Sequence, residues 1–138
     1  MTHRQSFVLV GLGGALGGLV RWSLTQVVRE PAGAFPWTTF AINVVGSFLL
    51  GLLVVGVVGR LGAPAWVRPA LGTGLLGGFT TFSAYTHAVD ALVTGAEPGT
   101  ALAYLLGSLV AGVVAAGAGV ATGARLPARR GTDEELAA

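Results

Sequence analysis

The residues able to do chemistry in this chain gather in one decapeptide and a few short patterns around it. Gly77-Gly78-Phe79-Thr80-Thr81-Phe82-Ser83-Ala84-Tyr85-Thr86 sets hydroxyls and aromatic rings inside an apolar segment long enough to cross a bilayer. Two adjacent glycines followed by two threonines form continuous helix poorly. Glycine loses the most backbone entropy, and threonine loses χ1 freedom while its hydroxyl competes for backbone groups. The stretch predicts a helix break. Non-helical backbone at membrane depth persists only where protein or a polar cavity satisfies it, so a break there implies an ion or substrate site. The plainer reading is that Gly77 and Gly78 allow close helix packing while the threonines bond back to the preceding turn.

Thr39, Asn43 and Ser47 recur at i, i+4 and i+8, which puts them in one polar stripe on a helix. The Asn43 carboxamide offers two N–H donors to an anion, or glue between helices. Tyr104 and Ser108 repeat the device one turn apart. Arg21, beside Trp22, lies towards the end of the first apolar run. There it snorkels to the interface, holds a carbonyl of another helix, or draws anions into a vestibule. Hydroxyls, one amide and aromatic rings, with no buried countercharge of either sign, suit a small anion. Ring edges carry the positive end of the aromatic quadrupole, so Phe79 or Phe82 turned edge-on favours a partly dehydrated anion. Asn43, Thr39, Ser108 and Tyr104 supply donors in place of the lost water. A broken backbone offers amides to an anion or carbonyls to a cation. Each group also has a packing reading, the rings as core and the hydroxyls as satisfied hydrogen bonds.

These residues need membrane helices to position them. Of 138 residues, 53% are hydrophobic, only 10% are charged and 23 are glycine, and the mean hydropathy is +0.75. Such values define an integral membrane protein and exclude a soluble or disordered chain. A spanning helix takes about 20 apolar residues for a hydrocarbon core of about 30 Å. Four segments qualify, from Ser6 to Val28, Trp37 to Val58, Pro69 to Val89 and Thr100 to Gly123, as one all-α domain over 1–138 with a break in the third span. The glycine pairs Gly13 with Gly17 and Gly14 with Gly18, then Gly46, Gly51, Gly107 and Gly112, let helices approach closely. The tail from Arg125 to Ala138 is charged and expected to fray. Met1-Thr2-His3-Arg4 resembles the start of a signal peptide, but the apolar run continues past Arg21 without a small-residue cleavage site, so it reads as a retained span.

Several chemistries are excluded. No carboxylate stands in the middle of a span, which disfavours a proton-coupled carrier. No Ser/His/Asp set, carboxylate pair or His-rich metal spacing occurs within the spans, so the chain is not expected to be an enzyme. His87 and Asp90, at i and i+3 near the end of the third span, read as an interfacial pair. There is no cysteine, hence no disulfide or thiolate site. All eight basic residues are arginine and none forms a nucleic-acid-binding face.

Gly77-Gly78-Phe79-Thr80-Thr81-Phe82-Ser83, taken with Gly13 to Trp22 and with Asn43-Val44-Val45-Gly46-Ser47-Phe48, resembles the Fluc (CrcB) fluoride channel family. The resemblance covers all the spans. It implies an antiparallel dimer of four-helix subunits, fluoride pores, a structural sodium ion held by helix-break carbonyls, and passive export that protects the cell from fluoride. Matched by motif, Asn43 is the pore amide, Phe82 an anion-facing ring, and Tyr104, Ser108 and Thr39 lie on the polar track. Gly77 and Thr80 lend carbonyls to sodium, and Arg21 matches the vestibule arginine. Two positions depart from the pattern. Tyr85 stands where the family usually has a second pore phenylalanine, and Ala88 stands where many members have glutamate.

Charge predicts orientation. Arg4, Arg60, Arg68, Arg125, Arg129 and Arg130 fall on one side of a four-span topology, against Arg29 and Arg21 on the other. Arginine near span ends is held on the cytoplasmic side, so both termini are expected inside the plasma membrane, surrounded by lipid. A fixed orientation points to a heterodimer with an oppositely inserted homologue; a homodimer requires insertion both ways. Two rivals stay open. A small four-helix multidrug exporter should carry a carboxylate in its first span, which is absent here. A non-transporting assembly subunit should tolerate leucine at Asn43 and Phe82.

Overall fold

The computed structural model describes residues 1–28 and 30–129, and every described element is helical, with no strand. Helix α1 runs His3–Val27 and starts on a reciprocal cap, in which the Thr2 side chain accepts from the Gln5 backbone while the Gln5 side chain returns the bond. Helix α2 covers Trp37–Arg60, with its Leu52–Arg60 half wound in wider π-type turns. Helix α3 spans 68–79, π-wound over Arg68–Leu76 and α-helical over Gly77–Phe79. Helix α4 is Phe82–Thr94, and α5 is Pro98–Ala124. At 1.5 Å per residue, α1, α2 and α5, with 25, 24 and 27 residues, exceed the thickness of a hydrocarbon core. Residues 68–94 form two shorter pieces instead.

Several boundaries differ from those read off the apolar runs. Helix α2 continues to Arg60, α4 to Thr94, and α5 begins at Pro98, because polar turns extend helices beyond the hydrophobic windows that reveal them. The α4–α5 turn is tight, with Ala96 at a left-handed φ of 61° and the Glu97 N–H bonded to the Leu92 carbonyl at 2.9 Å. Part of the tail expected to fray is tied down. Arg60 donates Nε to the Leu126 carbonyl at 2.8 Å, and the Arg129 N–H meets the Arg60 carbonyl at 2.7 Å. Arg29 and residues 130–138 lie outside the described residues.

Glycine sets the helix packing. A Cβ at Gly17 would strike the Leu75 carbonyl and stand 2.8 Å from the Phe79 nitrogen, and one at Gly78 would strike the Gly14 carbonyl, so α1 and α3 touch backbone to backbone. Gly51 and Gly56 of α2 meet α5 near Ala116 and Gly123 in the same way. Where lipid supplies no hydrophobic drive, such close approach is how helices gain contact. Most of the buried apolar side chains form two small clusters. Leu53, Val67 and Leu76 lie in one, and Leu92, Ala101 and Tyr104 in the other, with Phe35, Phe40 and Tyr85 packed on the latter. Most large apolar side chains instead point outwards, among them Leu12, Leu16, Leu109 and Val113.

Candidate functional site

Between α3 and α4 the chain leaves helical geometry for two residues. Thr80 has φ −75° and ψ 154°, and Thr81 has φ −149° and ψ 121°. Thr80 closes α3, since its N–H and its Oγ1 both donate to the Leu76 carbonyl at 2.9 Å. Thr81 opens α4 as its N-cap, its Oγ1 accepting from the Ala84 N–H at 3.1 Å. Extended backbone here strands polar groups, and two long-range side chains take them up. Asn43 of α2 accepts the Thr81 N–H on Oδ1 at 2.9 Å and donates Nδ2 to the Thr81 carbonyl at 3.1 Å. Arg21 of α1 donates Nε to the Gly78 carbonyl at 3.2 Å. One turn along from Asn43, Gly46 leaves room for the Thr80 methyl, which a Cβ there would strike.

These bonds take up the helical donors of two carbonyls. In regular helix the Gly77 carbonyl would accept from the Thr81 N–H and the Thr80 carbonyl from the Ala84 N–H. Both donors are spent elsewhere, on Asn43 Oδ1 and Thr81 Oγ1. Gly77 is exposed and Thr80 half-buried. Neutral oxygens of this kind are the ligands that hard cations prefer.

A second group lies on the α4–α5 side. Tyr104 is fully buried, and among the described residues neither its hydroxyl nor that of Ser108 one turn on makes a hydrogen bond, although the two hydroxyls are neighbours. The Thr39 hydroxyl is a neighbour of the Tyr104 hydroxyl. The Tyr85 ring lies 5.4 Å from that of Tyr104 and 5.6 Å from that of Phe82, while Phe35 meets Tyr104 edge-on at 5.3 Å. The Tyr85 hydroxyl, a departure flagged in the sequence, donates to the Leu105 carbonyl at 2.9 Å and so ties α4 to α5. Phe82 is 77% exposed. Its outward face therefore belongs to lipid or to another chain.

The structure thus brings Asn43, Arg21, Gly77 and Thr80 together at the helix interruption, and Tyr85, Tyr104, Ser108 and Thr39 at the aromatic cluster, with Phe82 between them on the outside. A groove of about 790 Å³ runs alongside, lined by Glu30, Thr38, Thr39, Ser83, His87 and Ala88 among others. Reading the sequence placed Thr81 in the break without a role of its own, and missed Phe35 and Glu30. Thr81 carried a usable signal, a threonine just ahead of an apolar helix; Phe35 and Glu30 sit in a connection and carried none.

Three apolar helices of membrane length, packed with the shorter α3 and α4, define an integral membrane protein. Residues 8–120 match the family described as CrcB-like protein, Camphor Resistance (CrcB), and the chain belongs to that family. It is 45% identical over 109 residues to fluoride-specific ion channel FluC 2 of Streptomyces avermitilis, covering 78% of this chain and 69% of that protein. Fluoride-specific ion channel FluC of Thermus thermophilus is 45% identical over 124 residues, 88% of this chain and 98% of its own length. The protein of the same name from Agrobacterium fabrum is 43% identical over 122 residues, 88% and 98% of the two chains.

Proposed function

We propose that this chain is a subunit of a fluoride-selective channel that lets cytoplasmic fluoride leave passively and so confers fluoride resistance. The observation that carries the reading is the pair of buried, unpartnered hydroxyls on Tyr104 and Ser108, in a chain whose relatives are named as fluoride-specific channels. A buried donor without an acceptor costs about 1–3 kcal/mol. A partly dehydrated fluoride is an acceptor for both hydroxyls, and so turns that cost into a binding contribution. Thr39 and the second N–H of Asn43 are further donors, and ring edges of Phe82 and Tyr85 complement an anion. Arg21 provides the positive potential of a vestibule. None of this requires bond-making, so the reading assigns no catalysis.

The reading extends to the assembly. Residues 68–79 and 82–94 form one interrupted span, giving four in all, and two subunits pair in opposite orientations. Gly11, Gly18, Gly107 and Gly117 meet nothing within 4 Å among the described residues, which leaves smooth faces for a partner. The arginine bias holds both termini on the cytoplasmic side of the plasma membrane, so the partner is an oppositely inserted homologue, with the homodimer as the alternative. The carbonyls of Gly77 and Thr80 fit a structural sodium ion, which would offset the partial negative charge left where their amide donors are spent elsewhere.

Liposomes carrying the purified chain, loaded with fluoride or chloride, test the function directly. Fluoride efflux well above chloride efflux is expected, from the chain alone or once an oppositely oriented homologue is added. Silence in both preparations refutes the channel.

A further inference from the structure

Glu30 lies in the connection between α1 and α2, eight residues ahead of the group it serves. Its Oε1 accepts the Thr38 backbone N–H at 2.6 Å and the Thr38 hydroxyl at 2.8 Å. Helix α2 needs this. Pro36 at its N-cap position makes no side-chain cap bond, and a carboxylate complements both the unsatisfied amides and the dipole of a helix start. The cap also fixes where the charge sits. Thr38 and Glu30 line the groove of about 790 Å³ that contains Thr39 and Ser83, and among the described residues its other titratable lining residue is His87. Thr39 is one turn before Asn43, and Ser83 follows Phe82. A negative charge is therefore pinned at a groove that Thr39, a donor of the proposed ion path, also lines.

We propose that Glu30 sets the rate of anion entry, a carboxylate held by Thr38 so that its fixed charge limits how fast an anion enters from this groove. The proposal rests on the channel reading above. Chemically, the carboxylate combines two separable roles. Its oxygen caps α2, and its charge repels an anion close to Thr39. Repulsion between unit charges about 8 Å apart in a largely aqueous groove changes ion occupancy about twofold, more where apolar walls lower the local dielectric, and it fades once the Debye length shrinks to about 3 Å in about 1 M salt. Replacement by glutamine retains an acceptor oxygen for Thr38 and deletes only the charge.

The test is fluoride efflux from liposomes bearing wild type, Glu30→Gln or Thr38→Val, at low ionic strength and again in about 1 M of an impermeant salt. Glu30→Gln is expected to conduct at least about twofold faster than wild type at low ionic strength and to converge with it at high. Thr38→Val, which loosens the cap but keeps the charge, is expected to bring no gain. Equal rates for Glu30→Gln and wild type at low ionic strength overturn the proposal, as does a matching gain in Thr38→Val, which would make the effect one of helix capping. Fluoride flux in wild type separates these failures from that of the channel itself. A silent wild type, with and without an oppositely oriented homologue, overturns the channel reading and this one with it.

Discussion

Replacing Asn43 by leucine removes the side chain that holds the helix interruption from α2. Two bonds disappear, from the Thr81 N–H at 2.9 Å and to the Thr81 carbonyl at 3.1 Å. Each polar group left unpaired out of water costs about 1–3 kcal/mol, and both here are only part-buried, so the combined cost is about 2–4 kcal/mol. The chain can lower that cost by returning the Thr81 N–H to the Gly77 carbonyl, which extends α3 and withdraws a carbonyl from any cation site. Asn43→Leu should therefore lose fluoride efflux and also unfold at lower temperature. Asn43→Asp separates the two bonds. It keeps an acceptor for the Thr81 N–H but sets a carboxylate against the Thr81 carbonyl and against any anion. It should conduct poorly yet stand nearer to wild type in stability than leucine does. Fluoride efflux from liposomes and thermal unfolding monitored by size-exclusion chromatography measure both quantities. Wild-type flux with wild-type stability in Asn43→Leu would refute the reasoning outright.

Four other substitutions probe three separate links. Tyr104→Phe and Ser108→Ala delete hydroxyls that have no partner; thermal stability should hold or rise by about 1 kcal/mol while fluoride efflux falls about fivefold or more, and a loss of stability would mean that the hydroxyls are structural. Arg21→Gln removes the charge-assisted bond to the Gly78 carbonyl; a stability loss of about 1.5–3 kcal/mol with reduced flux is expected, and an unchanged melting curve would show that the arginine merely snorkels. Gly17→Ala drives a methyl into the Leu75 carbonyl; about 1–3 kcal/mol of destabilisation should appear in denaturant or thermal unfolding, since backbone cannot step aside as a flexible side chain would.

The Tyr85 departure shows how a local substitution acquires its meaning from distance. As a letter in the sequence it is a phenol at an aromatic position. In the fold it is a tether, because the Leu105 carbonyl, 20 residues on, comes within 2.9 Å of its hydroxyl. The hydroxyl is thereby committed to protein, and the ring face stacked near Tyr104 is held at a fixed tilt of 41°.

What the sequence determined by itself was what depends on short windows of chain. Hydrophobic runs of membrane length, glycines one turn apart, and a Gly-Gly-x-Thr-Thr cluster are local patterns, and they sufficed for a helical membrane protein of this family with a short list of candidate residues. The tertiary structure alone decided which side chain answers which stranded backbone group. Arg21 reaches Gly78 across 57 residues, Asn43 reaches Thr81 across 38, and Glu30 caps a helix from within a connection. The reason is physical. A hydrogen bond exists only within about 3 Å and a favourable angle, and that distance is set by how helices cross. The crossings here are set by backbone contacts at glycine, which a sequence announces as possible without saying which pairs will meet.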